Sequence, residues 1–341
     1  QTLSRLAGVG ELRCRDCPPK FALRCVVGEL LPAPEIPANN QLTQEGIALG
    51  RALFYEKKLS ADNTLACAGC HKPNQGFSDQ RRYSIGIDGI AGFRNSMPIV
   101  NIAWNTNNKF NWDGSANSLE EQVLEPVVNE IEMHNTWPNV EQTLQTDPRY
   151  VAAFSNAFGT STISQELVAK ALAQFIRTLV SGNAKFDNYL LGQATLTPLE
   201  EQGLAVFLDE NRGDCFHCHG GILETDLSFK NNGLDEVPID SGRGIVTRET
   251  KDNFKFKVPS IRNIEYSAPY MHDGRFNTLD DVIDFYSIGI HPNSPNIDPL
   301  IEFASQGGVQ LNPKERSELK SFLLTLSDPD FINNTKFSNP F

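Results

Sequence analysis

No run of about 18 consecutive apolar residues occurs in this chain of 341 residues, so no helical membrane span is expected. Basic side chains are scarce beside acidic ones, 30 Lys and Arg against 42 Asp and Glu, and the formal net charge is -12. That balance argues against nucleic acid as a partner; it suits steering toward a basic protein patch, or simple solubility. A charged-then-apolar leader is missing ahead of Gln1, which fits a mature form whose secretion signal has been removed. Strand-like alternation is sparse, so the expected class is mainly α.

Against these absences stand two copies of C-x-x-C-H, Cys67-Ala68-Gly69-Cys70-His71 and Cys215-Phe216-His217-Cys218-His219. In this pentapeptide the thiols form thioethers to porphyrin vinyl groups and the histidine supplies an imidazole nitrogen to the iron. A zinc site would need a second C-x-x-C or a spaced histidine pair near each copy, and neither has one. Cys14-x-x-Cys17 leaves a small opening for a metal site at the N-terminus. A thioredoxin-like dithiol would need a surrounding βαβ pattern, which is absent. Two covalently bound haem c groups are therefore expected. Such attachment takes place on the oxidising side of a membrane, so the expected location is the periplasm or surface of a bacterium. Seven cysteines less these four leave Cys14, Cys17 and Cys25, enough for one disulfide and one further thiol whose pairing is open.

The chain divides into an N-terminal cysteine-containing extension (1–42), an N-terminal haem domain (43–190) and a C-terminal haem domain (191–341). Three prolines between Leu30 and Asn40 exclude regular helix there. Helices are expected over Thr43 to Phe54, Leu119 to Val128, Val140 to Leu144 and Ser164 to Leu179. In the second half Thr197-Pro198-Leu199-Glu200 reads as a cap, a first-turn proline and a capping-box glutamate. Leu279 to Tyr286 and Asn312 to Leu326 follow as helices. Helix, C-x-x-C-H, loops and helices recur in both halves, which suggests a duplication at the level of plan. The fold expected is two cytochrome c-like haem domains with long loops and little β.

Around the pentapeptides lie further motifs in order. They are Tyr83-Ser84-Ile85-Gly86, Arg94-Asn95, Asn111-Trp112-Asp113-Gly114, Leu119-Glu120-Glu121-Gln122, Pro126, Glu132-Met133 and Ala268-Pro269-Tyr270-Met271-His272-Asp273-Gly274. From about Thr43 onward this set resembles the bacterial di-haem cytochrome c peroxidase and MauG superfamily. The resemblance implies a haem peroxidase-type oxidoreductase with H2O2 as oxidant. It carries the distal acid onto Glu132, with Glu130 its nearest rival, and pocket roles onto Gln122 and Pro126. Trp112 matches the tryptophan between the haems. One Ca2+ is implied, held by the Asn95 side chain and the Ser267 and Pro269 carbonyls, oxygen donors that suit this ion.

Two departures set the subclass that the resemblance implies. Ordinary family peroxidases carry a removable distal histidine just after Ser-Ile-Gly, where Ile87 and Asp88 stand here. No histidine lies between His71 and His134, so an open face is expected at the His71 haem. Counting from Ala268, the usual methionine ligand falls on Tyr286, as in MauG and MbnH-like enzymes, with Met271 and His272 as competing donors. A phenolate favours high oxidation states of iron, whereas a thioether favours the ferrous form. The implied activity is a two-haem Fe(IV) state that oxidises a secreted partner protein at tryptophan. The alternatives are a cytochrome c peroxidase fed by a small cytochrome c or copper protein, and a di-haem electron carrier.

Overall fold

The computed structural model describes residues 30–341, so Cys14, Cys17 and Cys25 lie outside the described residues. The fold is mainly α-helical, with one two-stranded antiparallel ribbon that pairs Phe229 with Lys257 and Lys230 with Phe256. Residues 31–36 are irregular, as their prolines require. No helix among the described residues is long and apolar enough to cross a membrane.

Each C-x-x-C-H is preceded by a helix that crosses a later helix of the same half. Gln44–Phe54 packs on Gln165–Ile176, and Pro198–Leu208 packs on Pro313–Leu324. The caps expected from sequence are made: Thr43 Oγ1 accepts from Gly46 N–H, and Thr197 forms the full capping box with Glu200. Glycine lets both crossings close. A Cβ on Gly50 would meet the Ala171 carbonyl oxygen at 1.9 Å, and one on Gly203 would meet the Glu318 carbonyl oxygen at 1.9 Å. Beside each glycine a phenylalanine pair fills the crossing. Phe54 and Phe175 have centroids 5.3 Å apart, Phe207 and Phe322 5.1 Å.

The correspondence between the halves thus reaches individual residues. Asn101 and Asn263 both adopt the left-handed conformation at the start of a 3-10 turn. Asn101 Oδ1 accepts from Ser181 N–H at 2.8 Å, and Asn263 Oδ1 accepts from Asp328 N–H at 2.8 Å. Between the halves the repeats exchange partners: Asn95 N–H donates to the His272 carbonyl and Lys257 N–H to the Trp112 carbonyl, each at 2.7 Å.

Several elements depart from the expectation. Leu119 to Val128 is split into Leu119–Gln122 and Glu125–Val128, because Pro126 supplies no N–H and begins a new turn. The helix expected at Val140 to Leu144 extends over Trp137–Gln145, started by Thr136 as its cap. Leu279–Asp284 passes into a π-turn over Phe285–Gly289. Pro148–Phe158 and Lys185–Leu190 are additional helices. The first was signalled by Asp147-Pro148 and by Tyr150 and Phe154 at i, i+4 spacing, both buried.

One buried cluster gathers Leu53, Phe54, Phe77, Phe154, Leu172 and Phe175, and another gathers Phe186, Phe207, Leu279, Ile283 and Phe322. The chain's last turns return to the first cluster. Phe331 and Phe337 sit 5.5 and 6.1 Å from Phe77, ring centre to ring centre.

Candidate active site

The first pentapeptide forms a short helical turn, Cys67–Cys70, with His71 at its C-terminal end. His71 Nδ1 lies 3.0 Å from the Phe77 carbonyl and 3.3 Å from Ser96 Oγ. A proton on Nδ1 leaves Nε2 as the lone-pair nitrogen, which is the tautomer a metal-binding imidazole needs. Phe77 can present its carbonyl this way because its backbone is left-handed, φ 58°, held by the surrounding phenylalanines. Cys67 and Cys70 are not paired in a disulfide, and burial pushes the Cys67 thiol up to about 12.

His71 and Cys70 line a cavity of about 420 Å³ that also takes in Trp112, Gln122, Pro126 and Glu132. Two thiols, an imidazole with its outer nitrogen free and a largely apolar cavity fit a covalently held haem. Glu132 is close enough to both thiols for its charge to raise them. Asn129 Nδ2 donates to Glu132 Oε1 at 2.6 Å. Burial raises the Glu132 pKa; the Asn129 bond opposes this and the charge of Glu125 adds to it. Glu130 is exposed and lines no part of the cavity.

The Ser84-Ile85-Gly86 motif has a steric basis here. A Cβ on Gly86 would meet the carbonyl oxygens of Ile131 and Glu132 at 2.2 and 2.6 Å, so only glycine lets this loop lie against the acid's backbone. Ile87 N–H then donates to the Glu132 carbonyl at 2.9 Å. Asp88 turns outward and pairs with His134 Nδ1 at 2.5 Å, both side chains being about half exposed.

In the second pentapeptide His219 Nδ1 lies 3.3 Å from the carbonyl of Glu224, again a residue of positive φ, 52°. Cys215 and Cys218 are not paired in a disulfide. Tyr286 stands on the π-turn, a distortion that recurs at functional positions in helices. Asn232 Nδ2 donates to its hydroxyl at 3.0 Å. Burial pushes the phenol up to about 12; Asn232 opposes this, and Cys218 and Cys215 lie close enough for their charges to add to it. Two thiols, an imidazole and an enclosed phenol fit a second covalent haem. Of the competing donors, His272 is turned aside and stacks on Phe256 with centroids 3.6 Å apart. Met271 shares Asn232 with Tyr286, its sulfur 3.7 Å from Nδ2.

Residues from both halves meet at Asn95. Its carbonyl accepts from Trp112 Nε1 at 2.8 Å, and its side-chain amide donates to the Arg81 and Arg82 carbonyls. Arg94 beside it clamps Asp113 at 2.6 Å and Asp240 at 2.7 Å. Ser267 is buried and the Ala268–Pro269 peptide is cis. Among the described residues no group of three or more His, Cys, Asp or Glu could hold a metal ion. The Asn95, Ser267 and Pro269 set draws instead on an amide and two carbonyls.

The site also holds residues not anticipated from sequence. Glu125, Asn129 and Lys257 line the first cavity, and Asn232 meets Tyr286 in the second half. Asn129 carried a weak signal, three residues before the acid; Lys257 and Asn232 arrive through tertiary folding and carried none.

Two C-x-x-C-H sites, each with an oriented imidazole, define a di-haem c-type redox protein. The profile of the family described as di-haem cytochrome c peroxidase matches residues 44–195. Methylamine utilization protein MauG of Methylorubrum extorquens is 37% identical over 294 residues, covering 85% of this chain and 80% of that protein. Cytochrome c551 peroxidase of Pseudomonas aeruginosa is 32% identical over 296 residues, 84% of this chain and 80% of its own. The crystal structure of a MauG-like protein associated with microbial copper homeostasis superimposes with a TM-score of 0.84. It shares 32% identity and covers 92% of this chain and 97% of that one. The chain belongs to the bacterial di-haem cytochrome c peroxidase and MauG superfamily. It is an oxidoreductase that carries two c-type haems and acts on H2O2.

Proposed function

We propose that the enzyme uses H2O2 to withdraw electrons from a partner protein at a tryptophan side chain, in the manner of MauG-like members. One observation carries this reading. Pro126 and Tyr286 occupy matching places in the two repeats, each seven residues beyond a capped leucine, Leu119 and Leu279. The proline side chain has no donor atom to give a metal, so the face toward the Glu132 cavity is left for peroxide. Tyrosine offers an oxygen at the corresponding place in the second half.

When bound, the haems supply iron that accepts oxidising equivalents from H2O2 and holds them at high valence. The chain's own residues do the rest. Glu132 takes a proton from peroxide and returns it to the leaving oxygen, the work of a general acid and base. Gln122 donates a hydrogen bond within the cavity, and Pro126 walls it. Trp112 offers an aromatic step for a hole between the two halves. Asn95, Ser267 and Pro269 are proposed to hold Ca2+, with Asn95 Oδ1 as the side-chain donor. The domain boundaries at 42/43 and 190/191, and the periplasm or cell surface as location, belong to the same reading.

A second reading is peroxide reduction with electrons from a small cytochrome c or copper protein. Met271 favours it, since its sulfur and the Tyr286 hydroxyl share one hydrogen-bond donor. Optical and EPR spectra of the resting ferric protein, followed by one equivalent of H2O2 without reductant, separate the two. A high-spin haem beside a low-spin one, and a long-lived EPR-silent product with a near-infrared band, are expected. Two low-spin haems that ignore peroxide until half reduced would overturn the first reading, and would restore the peroxidase or the electron carrier.

A further inference from the structure

Lys257 belongs to the second half yet lines the cavity of the first. Its strand partner is Phe229, and its backbone N–H is tied to the Trp112 carbonyl across the halves. The side chain is 7% exposed. Nζ donates to Asn105 Oδ1 at 2.6 Å and to the Lys109 carbonyl, and lies 5.7 Å from the centre of the Phe110 ring. Burial lowers its pKa to about 8, and among the described residues no carboxylate is close enough to act against this.

A buried ammonium held by two neutral acceptors keeps a third N–H and its full charge unanswered. Such groups are costly unless an anion meets them. A porphyrin anchored by thioethers at its vinyl edge carries its two carboxylates on the opposite edge. In this cavity the thiols sit beside Glu132, while Lys257 lines it with Asn105, Phe110 and Trp112.

We propose that the Lys257 ammonium is the counter-charge of a propionate of the His71 haem, supplied across the junction by the other half of the molecule. Lys257 is then a positioning residue that also sets the potential of that haem. Asn105 and the Lys109 carbonyl aim it, and the Trp112 backbone fixes the strand that bears it. Neutralising a propionate makes the ferric charge harder to sustain, so the lysine raises the midpoint potential of the His71 haem.

The inference rests on the His71 haem occupying this cavity. Pyridine haemochrome analysis, counting two covalent haems in the wild type and one in C67A/C70A, tests that basis separately. Spectroelectrochemical titration of the holoproteins then tests the lysine. In K257M the His71 haem midpoint should shift negative while the His219 haem midpoint stays in place, and K257R should retain most of the wild-type value. An unmoved His71 midpoint in K257M bearing two haems would overturn the assignment, as would equal shifts at both haems. Should K257M fail to accumulate, resonance Raman of the wild-type holoprotein decides. A propionate bending mode of the His71 haem that shifts in D2O supports the contact, and one that does not shift overturns it.

Discussion

Glu132 and Tyr286 are the residues on which the chemistry is argued to turn, and each has a distinct signature. Replacing Glu132 with Gln keeps the Asn129 contact but removes the transferable proton, so the peroxide reaction should slow by about 10²–10⁴-fold in stopped-flow measurements. Because burial raises the Glu132 pKa, its basic form is lost as pH falls through a value above the ordinary glutamate range. The acid limb of the wild-type rate profile should lie there, and E132Q should flatten it. Tyr286→Phe should abolish any phenolate-to-iron absorption and shorten the life of the peroxide-oxidised state, whereas Met271→Leu should leave both in place. Sequence brought Glu132 and Tyr286 forward because motif order carries them. Lys257 and Asn232 were illegible, since a lone lysine or asparagine announces no partner until the fold supplies one.

The two helix crossings are where the secondary structure is most tightly specified. Gly50 and Gly203 each stand where a methyl group would strike a carbonyl of the facing helix. G50A and G203A should each destabilise the protein by about 1–3 kcal/mol, the usual cost of overpacking, read as an earlier denaturant midpoint with unchanged slope. Gly159 is held by a different constraint: the space around it is open, but its backbone at φ 72° is one that other residues adopt only with strain. The helices at these crossings were legible from their caps and periodicity: Thr43, Ser164, Thr197 and Asn312 all cap as their types suggest. The break at Pro126 and the π-turn at Tyr286 were not. Periodicity reports which face is apolar, and both segments keep an apolar face while the backbone departs from the α-helix to suit the site. The repeat was legible only as a plan, because its shared residues, Gly50 with Gly203 and Asn101 with Asn263, show their common roles only once the fold has placed them.

Across the whole molecule the halves are clasped by charge as well as by backbone. Arg94 neutralises Asp113 of one half and Asp240 of the other. Burial works to raise the Asp240 pKa, and the hydrogen bonds from Arg94 and Gly242 outweigh it, leaving a net lowering. A carboxylate held low in this way stabilises the fold above the unfolded Asp pKa, and the benefit fades as pH falls through the lowered value. Arg94→Met should therefore cost about 3–5 kcal/mol near neutral pH, with a gap to the wild type that narrows in acid, as chemical denaturation at a series of pH values would record. The chain's last turns have a different bearing. Asp328 accepts from Ser181 Oγ and from the N–H groups of Gly182 and Asn183, and Phe331 and Phe337 pack on Phe77, whose carbonyl orients His71. The wall behind the first imidazole is thus built from residues that a ribosome makes long after His71. During biogenesis Cys67, Cys70 and His71 emerge long before that wall can close, so the machinery that joins porphyrin to protein meets them while they are still open to it.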